Sequence, residues 1–109
     1  MRRDKAEERR IARARIGRLF ELAASRAREG DDARAARYVQ LARRVGMRYV
    51  VPLDRAHRRS FCRACGAYLL PGRTARVRAR EGKLAVTCLP CGAVRRFGYT
   101  REQRARRRH

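Results

Sequence analysis

Two pairs of cysteines are the residues of this sequence best suited to chemistry. Each pair is separated by two residues and followed by glycine, in Cys62-Arg63-Ala64-Cys65-Gly66 and Cys88-Leu89-Pro90-Cys91-Gly92. This spacing lets one tight turn present both sulfurs to a single tetrahedral ion, and glycine can adopt the positive φ that such a turn often needs. The 22 residues between the pairs are enough for a hairpin. The sequence therefore predicts a zinc ribbon in which Cys62, Cys65, Cys88 and Cys91 hold one structural zinc ion.

Other uses of paired cysteines fit this sequence less well. Two disulfides would suit a secreted protein, but residues 1–10 lack the apolar run of a signal peptide. A redox CxxC motif starts a helix in a βαβ context, and neither pair has that context. Iron also binds four thiolates, although zinc is the commoner occupant of a ribbon. Because four thiolates leave no open position for water or substrate, the metal cannot act as a Lewis acid, and we predict no catalytic residue in this chain.

The charge of the chain indicates a polyanionic partner. The chain has 31 Lys and Arg residues and 10 acidic residues, so its formal net charge is +21. All of the basic residues except Lys5 and Lys83 are arginines. Guanidinium groups favour forked phosphate contacts and stacking on bases, which points to RNA. A membrane surface fits less well, because the predicted helices carry mainly alanine where an interfacial helix needs bulky apolar residues. We expect a cytosolic or nuclear protein and take the cytoplasm as its predicted location.

Hydrophobic periodicity predicts two N-terminal helices. Over residues 3–29, apolar side chains recur every three or four positions, which is the spacing of one helical face. Gly30 should end this helix, and Asp31 or Asp32 should cap a second helix over residues 33–45. Helices joined so closely pack antiparallel.

The remaining pattern predicts an α+β fold in four parts. Residues 47–53 lose helical periodicity, and alternating side chains predict strands at 74–80, 84–87 and 93–97. His57 is expected to be an exposed polar residue, because four cysteines already complete the metal site. The parts are a helical pair at 1–47, an extended linker at 48–57, a three-stranded zinc ribbon at 58–100 and a basic tail at 101–109.

The order of helical pair, linker and ribbon resembles the archaeal ribonuclease P protein component 4 family, which is related to a eukaryotic nuclear ribonuclease P subunit. The resemblance spans about residues 15–99. The residues that carry it are Arg15-Ile16, Leu19-Phe20, Ala36-Arg37-Tyr38-Val39, Leu41-Ala42-Arg43-Arg44, Met47-Arg48-Tyr49, Arg58-Arg59-Ser60-Phe61-Cys62, Cys65-Gly66, Leu70-Pro71-Gly72, Arg76-Val77-Arg78, Thr87-Cys88 and Cys91-Gly92.

This resemblance implies a fold, partners and an activity. The fold is L-shaped, with the helices set against the ribbon. The helical arm joins a second small protein, ribonuclease P protein component 1, and the pair binds the specificity domain of the catalytic RNA. The complex removes the 5′ leader of precursor tRNA, and the cleavage chemistry belongs to the RNA and its magnesium ions.

Two alternatives are carried forward. A zinc-ribbon assembly protein of the ribosome or transcription machinery would share the ribbon and the charge, but it would not need the helical pair. A nuclease in its own right would need a nucleophile with a paired base, or clustered carboxylates for magnesium, and the sequence shows neither.

Two sets of contact residues follow. Phosphate contacts are predicted on the second helix and the ribbon, from Arg37, Arg44, Arg48, Arg59, Arg76, Arg78 and Arg96. The apolar stripe of the first helix covers more than a two-helix contact usually hides, so part of it is predicted to bind the partner protein. That set is Ile16, Leu19, Phe20 and Leu22.

Overall fold

The computed structural model describes residues 4–98, with three helices followed by a three-stranded antiparallel sheet. The elements are α1 (Lys5–Arg28), α2 (Asp32–Arg48), α3 (Arg55–Arg59), β1 (Ala75–Arg80), β2 (Lys83–Cys88) and β3 (Val94–Gly98). The predicted α+β class is confirmed, and the predicted basic tail lies outside the described residues. Among these residues, no helix combines the length and the apolar content that crossing a membrane requires.

Capping residues determine where the long helices begin and end. The side chain of Asp4 accepts a hydrogen bond from the Glu7 amide at 2.7 Å, and that of Asp31 accepts one from the Arg34 amide at 3.1 Å. Between the helices Gly30 has a φ of +89°, a conformation that costs glycine nothing. The predicted stop at Gly30 and the predicted cap at Asp31 are confirmed.

Small side chains let α1 and α2 pack closely. Alanines of both helices are buried, together with the larger side chains of Ile16, Phe20 and Val39. Gly46 also lies inside α2, where a Cβ would sit 2.9 Å from the Val51 carbonyl oxygen. The prediction that α2 ends near residue 45 is wrong, because the helix continues to Arg48; the missing side chain at Gly46 gives room for the Val51 carbonyl where the chain turns back.

The segment predicted as an extended linker contains the single helical turn α3. Its N-cap is Asp54, whose side chain accepts a hydrogen bond from the His57 amide at 2.8 Å. The prediction that His57 is an exposed polar residue is wrong as well. Its ring stacks on Phe20 with centroids 4.3 Å apart and planes 4° apart, which leaves the side chain 28% exposed.

The sheet has the order β1-β2-β3. Arg80 pairs with Lys83 across a two-residue turn in which Glu81 and Gly82 both have positive φ, as in the tight turns that suit hairpins. Phe61, at the start of the ribbon, is buried in the helical core and joins the two parts. The radius of gyration is 15.9 Å, against about 13 Å for a compact chain of about 100 residues, so the molecule is elongated.

Candidate metal centre and basic surfaces

The four cysteine sulfurs form one cluster at the base of the ribbon. All four Sγ atoms lie within 4.8 Å of one another, and the Cys62–Cys91 and Cys65–Cys88 pairs are each 3.6 Å apart. A tetrahedral zinc site with Zn–S bonds of about 2.3 Å places its sulfurs about 3.8 Å apart. The cluster can therefore hold one metal ion, and four thiols are a donor set that suits zinc.

Two turns of nearly identical geometry present these sulfurs. The Gly66 amide donates to the Cys62 carbonyl at 2.8 Å, and the Gly92 amide donates to the Cys88 carbonyl at 2.7 Å. The two glycines have φ values of +82° and +81°. The glycine after each CxxC is thus required by the backbone of the turn.

The thiols of the cluster differ in how readily they ionise. Burial, the largest influence, pushes the pKa of the Cys62 thiol up, but hydrogen bonds from the Cys65 and Ala64 amides and from neighbouring thiols together lower it to about 7. Burial raises the pKa of Cys88 to about 12, and the adjacent thiols add to that rise. Four thiolates cannot share this site unless a cation offsets their charge, which a divalent metal would do.

Arg73 ties the ribbon to the helical pair. Its Nη1 and Nη2 atoms donate to the two carboxylate oxygens of Asp32, each at 3.0 Å, and Nη1 also donates to the Ala27 carbonyl at the end of α1. Sequence reasoning missed this contact. The signal in the sequence was the adjacent pair Asp31-Asp32, because a helix needs only one N-cap. With Asp31 as the cap, the carboxylate of Asp32 can bind a distant cation.

Losing the Arg73 contact is expected to weaken the joint between helices and ribbon. Because the two side chains are 39% and 53% exposed, we expect Arg73→Ala to lower the free energy of unfolding by about 1 kcal/mol. Denaturant unfolding of Arg73→Ala, Asp32→Ala and the double variant measures the coupling. Additive losses would contradict a direct interaction. Arg78→Ala, on the exposed strand β1, is the control and should change stability little.

Arg59 and Arg95 connect strand β3 to the segment around α3 and Phe61. Nη1 of Arg95 donates to the carbonyl oxygens of Arg58 and Phe61, each at 3.0 Å. The guanidinium carbons of Arg59 and Arg95 lie 4.5 and 4.9 Å from the centre of the Phe97 ring. Burial, followed by the charge of Arg63, lowers the pKa of Arg95. Arg59, a predicted phosphate contact, is therefore partly engaged with a ring of its own chain.

Strand register gathers three of the predicted phosphate contacts on one face. Arg78 on β1 pairs with Ala85 on β2, and Ala85 pairs with Arg96 on β3. Because directly paired residues project from the same face of a sheet, Arg78 and Arg96 lie on one face. Arg76 lies two residues from Arg78 on the same face. The basic sheet face comprises the exposed residues Arg76, Arg78, Arg80, Lys83 and Arg96.

The helical arginines border two different clefts. Arg44 and Arg48 stand at the edge of an apolar groove between α1 and α2, with a volume of about 340 Å³. Its lining residues are Arg15, Leu19, Leu41, Arg44, Val45, Arg48 and Tyr49. Arg37 lines a second cleft, between α2 and the first cysteine turn. Arg37 thus borders a different cleft from Arg44 and Arg48, although all three lie on one face of α2.

The predicted partner-protein residues separate into two groups. Ile16 and Phe20 are 3% and 4% exposed, so their side chains are covered by the core of this chain and are not available to a partner. The prediction is corrected for these two, because α2, α3 and Phe61 cover the centre of the stripe. Leu19 and Leu22 are partly exposed, and Leu19 lines the apolar groove.

Solved structures provide the first comparison. A chain in a structure described as "cryo-EM structure of archaeal Ribonuclease P with mature tRNA" is similar with a TM-score of 0.79 and 42% identity, covering 90% of this chain and 84% of that one. A structure described as "Pfu Rpp21 structure and assignments" has a TM-score of 0.58 and 39% identity, covering 79% of this chain and 97% of that one.

Sequence comparisons agree with the structures. The ribonuclease P protein component 4 of Methanopyrus kandleri is 48% identical over 103 residues, covering 92% of this chain and 80% of that protein. The component 4 of Halobacterium salinarum is 52% identical over 90 residues, covering 83% and 96%. The family model described as "RNAse P Rpr2/Rpp21/SNM1 subunit domain" matches residues 15–92. As the resemblance predicted, this chain belongs to the ribonuclease P protein component 4 family.

Proposed function

We propose that this chain is a non-catalytic, RNA-binding subunit of ribonuclease P that supports removal of the 5′ leader from precursor tRNA by the catalytic RNA. The observation that carries the proposal is the basic sheet face, which aligns five cationic side chains on a family member's ribbon. On the three strands of this face, within the described residues, no acidic side chain offsets them. Such a surface complements a phosphate backbone.

In this proposal the metal is one structural zinc ion. Four thiolates would close its coordination sphere, so zinc would fold the ribbon and take no part in cleavage. The thiolates contribute −4 and zinc +2, and the resulting change in net charge from +21 to about +19 leaves the chain strongly basic. The chemistry of cleavage is assigned to the RNA, and this chain contributes binding and positioning.

A cleavage assay tests the proposal. Ribonuclease P RNA, the other protein subunits and precursor tRNA are combined at limiting magnesium, with and without the zinc-loaded chain. We expect the chain to raise the rate of 5′ leader removal, because neutralising phosphates stabilises the folded RNA at low magnesium. Unchanged activity would refute the proposed function.

A matched pair of variants locates the effect within that assay. Replacing Arg76, Arg78 and Arg96 by Gln should raise the amount of chain needed for half-maximal activity roughly tenfold or more, since each lost phosphate contact weakens binding. Replacing Arg9, Arg13 and Arg18 on α1 removes the same charge from another surface and should have a much smaller effect.

We further propose that the apolar groove of the helical pair binds ribonuclease P protein component 1. The groove exposes Leu19, Leu41 and Val45 between α1 and α2, and arginines border it. An apolar centre with a charged rim is the usual arrangement of a protein interface. Leu22, one turn along α1 from Leu19, extends the predicted contact.

Charging this groove should separate the two proteins. Leu19→Glu and Leu22→Glu are each expected to weaken the heterodimer by about 2 kcal/mol, or about 30-fold, because a carboxylate would be desolvated in the interface. Isothermal titration with component 1 measures this, and zinc content verifies the fold. Leu89→Glu, an exposed leucine of the ribbon, is the control. Pairing that survives both groove variants would contradict the assignment.

A further inference from the structure

A cleft of about 450 Å³ separates α2 from the first cysteine turn, and none of its lining residues is shared with the apolar groove. Its volume falls within the range of about 300–1,000 Å³ in which proteins hold small ligands. The lining residues are Ala33, Ala36, Arg37, Val39, Gln40, Arg43, Arg63, Ala64, Cys65 and Gly66. One wall belongs to the helix and the other to the metal-binding turn.

Three arginines give this cleft its charge, and none of its ten described lining residues is acidic. Nη1 of Arg37 donates to the Gln40 side-chain oxygen at 2.8 Å, which holds the guanidinium on the helical wall. The guanidinium carbon of Arg43 lies 5.0 Å from the centre of the Phe61 ring. Arg63 projects from the opposite wall. Two of the three cations are therefore positioned before any ligand arrives.

The rest of the lining determines which part of a polyanion can enter. Ala33, Ala36, Ala64 and Gly66 carry almost no side chain, so a ligand can approach the backbone closely. Aromatic rings are missing from the ten described residues of the lining, so a base would find nothing to stack on. A cationic cleft without aromatic rings suits the sugar–phosphate backbone of a single strand.

We propose that this cleft binds one phosphodiester unit of a single RNA strand, held by Arg37, Arg43 and Arg63. This inference rests on the proposed function and deepens it, because it adds a phosphate subsite separate from the basic sheet face. Binding here is independent of base sequence, since guanidinium contacts to phosphate carry no sequence information. The subsite also depends on the metal, because the first cysteine turn forms one of its walls.

Titrating the zinc-loaded chain with a fluorescent ten-nucleotide oligouridylate tests the subsite. Arg37→Gln/Arg63→Gln removes two cleft charges but keeps Arg43, whose guanidinium covers Phe61. We expect a loss of affinity of about tenfold or more and a salt slope smaller in magnitude by about 0.7, the value for one lost phosphate contact on a single strand. Arg9→Gln/Arg13→Gln removes the same charge from α1 and should change affinity less than about threefold.

A second variant and a second measurement complete the test. Ala64→Glu places a carboxylate on the exposed wall of the cleft without removing an arginine, and it should weaken binding at least as much. In amide spectra of the wild-type chain, oligouridylate should shift the signals of Ala36 and Gly66. Equal losses in the cleft and control variants, or shifts confined to the sheet, would overturn the subsite and leave the proposed function standing. No binding by the wild-type chain would also overturn the subsite, while the cleavage assay decides the proposed function.

Discussion

Removing the proposed zinc ion with a chelator is expected to unfold the ribbon, residues 61–98, while α1 and α2 remain helical. The buried apolar cluster of the ribbon consists of Cys62, Leu69, Ala75 and Cys88, so two of its four members are metal ligands. Structural zinc sites contribute apparent binding free energies of about 10–16 kcal/mol. So small a core cannot replace that contribution, and the strands should lose their protection from hydrogen exchange.

The helical pair has a separate core. Its buried cluster is built from alanines together with Ile16, Phe20, Val39, Val51 and Phe61, and no cysteine belongs to it within the described residues. Among its fully buried members only Phe61 belongs to the ribbon, and Tyr68 of the ribbon packs against the edge of the cluster. Far-ultraviolet circular dichroism should therefore keep most of its helical signal in chelator, while amide signals of the strands collapse toward random-coil positions.

Cys88→Ser should reproduce the effect of the chelator without any added reagent. Serine keeps the size of the side chain but supplies a poor ligand, and it leaves three thiolates in the cluster. The neighbouring Leu89→Ser is the control, since Leu89 is 47% exposed and should keep both metal and fold. Strand signals that persist in chelator, or in Cys88→Ser, would contradict a ribbon folded by its metal.

Local patterns in the sequence predicted the parts of this molecule that depend on neighbouring residues. The cysteine turns follow from two-residue spacings with a following glycine, and the hairpin turn follows from Glu81-Gly82. The buried face of α1 was also predictable, because residues on one helical face recur every three or four positions. Each of these features is decided within a few positions of the chain.

Long-range contacts were beyond that reasoning. Arg73 and Asp32 are 41 residues apart, and a single arginine among so many carries no distinguishing signal. The same limit explains the correction at Ile16 and Phe20. An apolar stripe shows that a surface is covered, but it cannot tell a partner protein from a later segment of the same chain. Here α3 and Phe61 provide the cover.

The contacts of Arg73 and of the Phe20 ring fix the position of the ribbon relative to the helical pair, and both parts carry arginines. Arg73 binds the ribbon to the helical pair where α1 ends and α2 begins. The stacked rings of Phe20 and His57 connect α1 to α3, just before the ribbon. The cleft between α2 and the first cysteine turn exists only while the ribbon keeps this position. Rigid placement matters for RNA binding, because cationic groups fixed in advance lose less entropy when they meet phosphates.

Phe20→Ala is expected to be the most damaging substitution outside the metal site. The Phe20 ring is 4% exposed, it stacks on His57 of α3, and it lies 6.0 Å from the Phe61 ring at a tilt of 31°. Truncating a buried phenylalanine to alanine costs about 3–5 kcal/mol, through lost burial and the cavity left behind. Here the cavity would open where α1, α3 and the start of the ribbon meet, so the ribbon should move relative to the helices.

Denaturant unfolding measures that loss, and two further readouts separate a loosened joint from general damage. Zinc content should remain at one ion per chain, because Phe20 is not one of the four metal-binding candidates. Affinity for oligouridylate should fall, because the cleft between α2 and the ribbon loses its shape. Met47→Ala, on a helical residue that is 71% exposed, should change stability by less than about 0.5 kcal/mol. If Phe20→Ala kept wild-type stability and wild-type RNA affinity, the packing of Phe20 against His57 and Phe61 would not be what positions the ribbon.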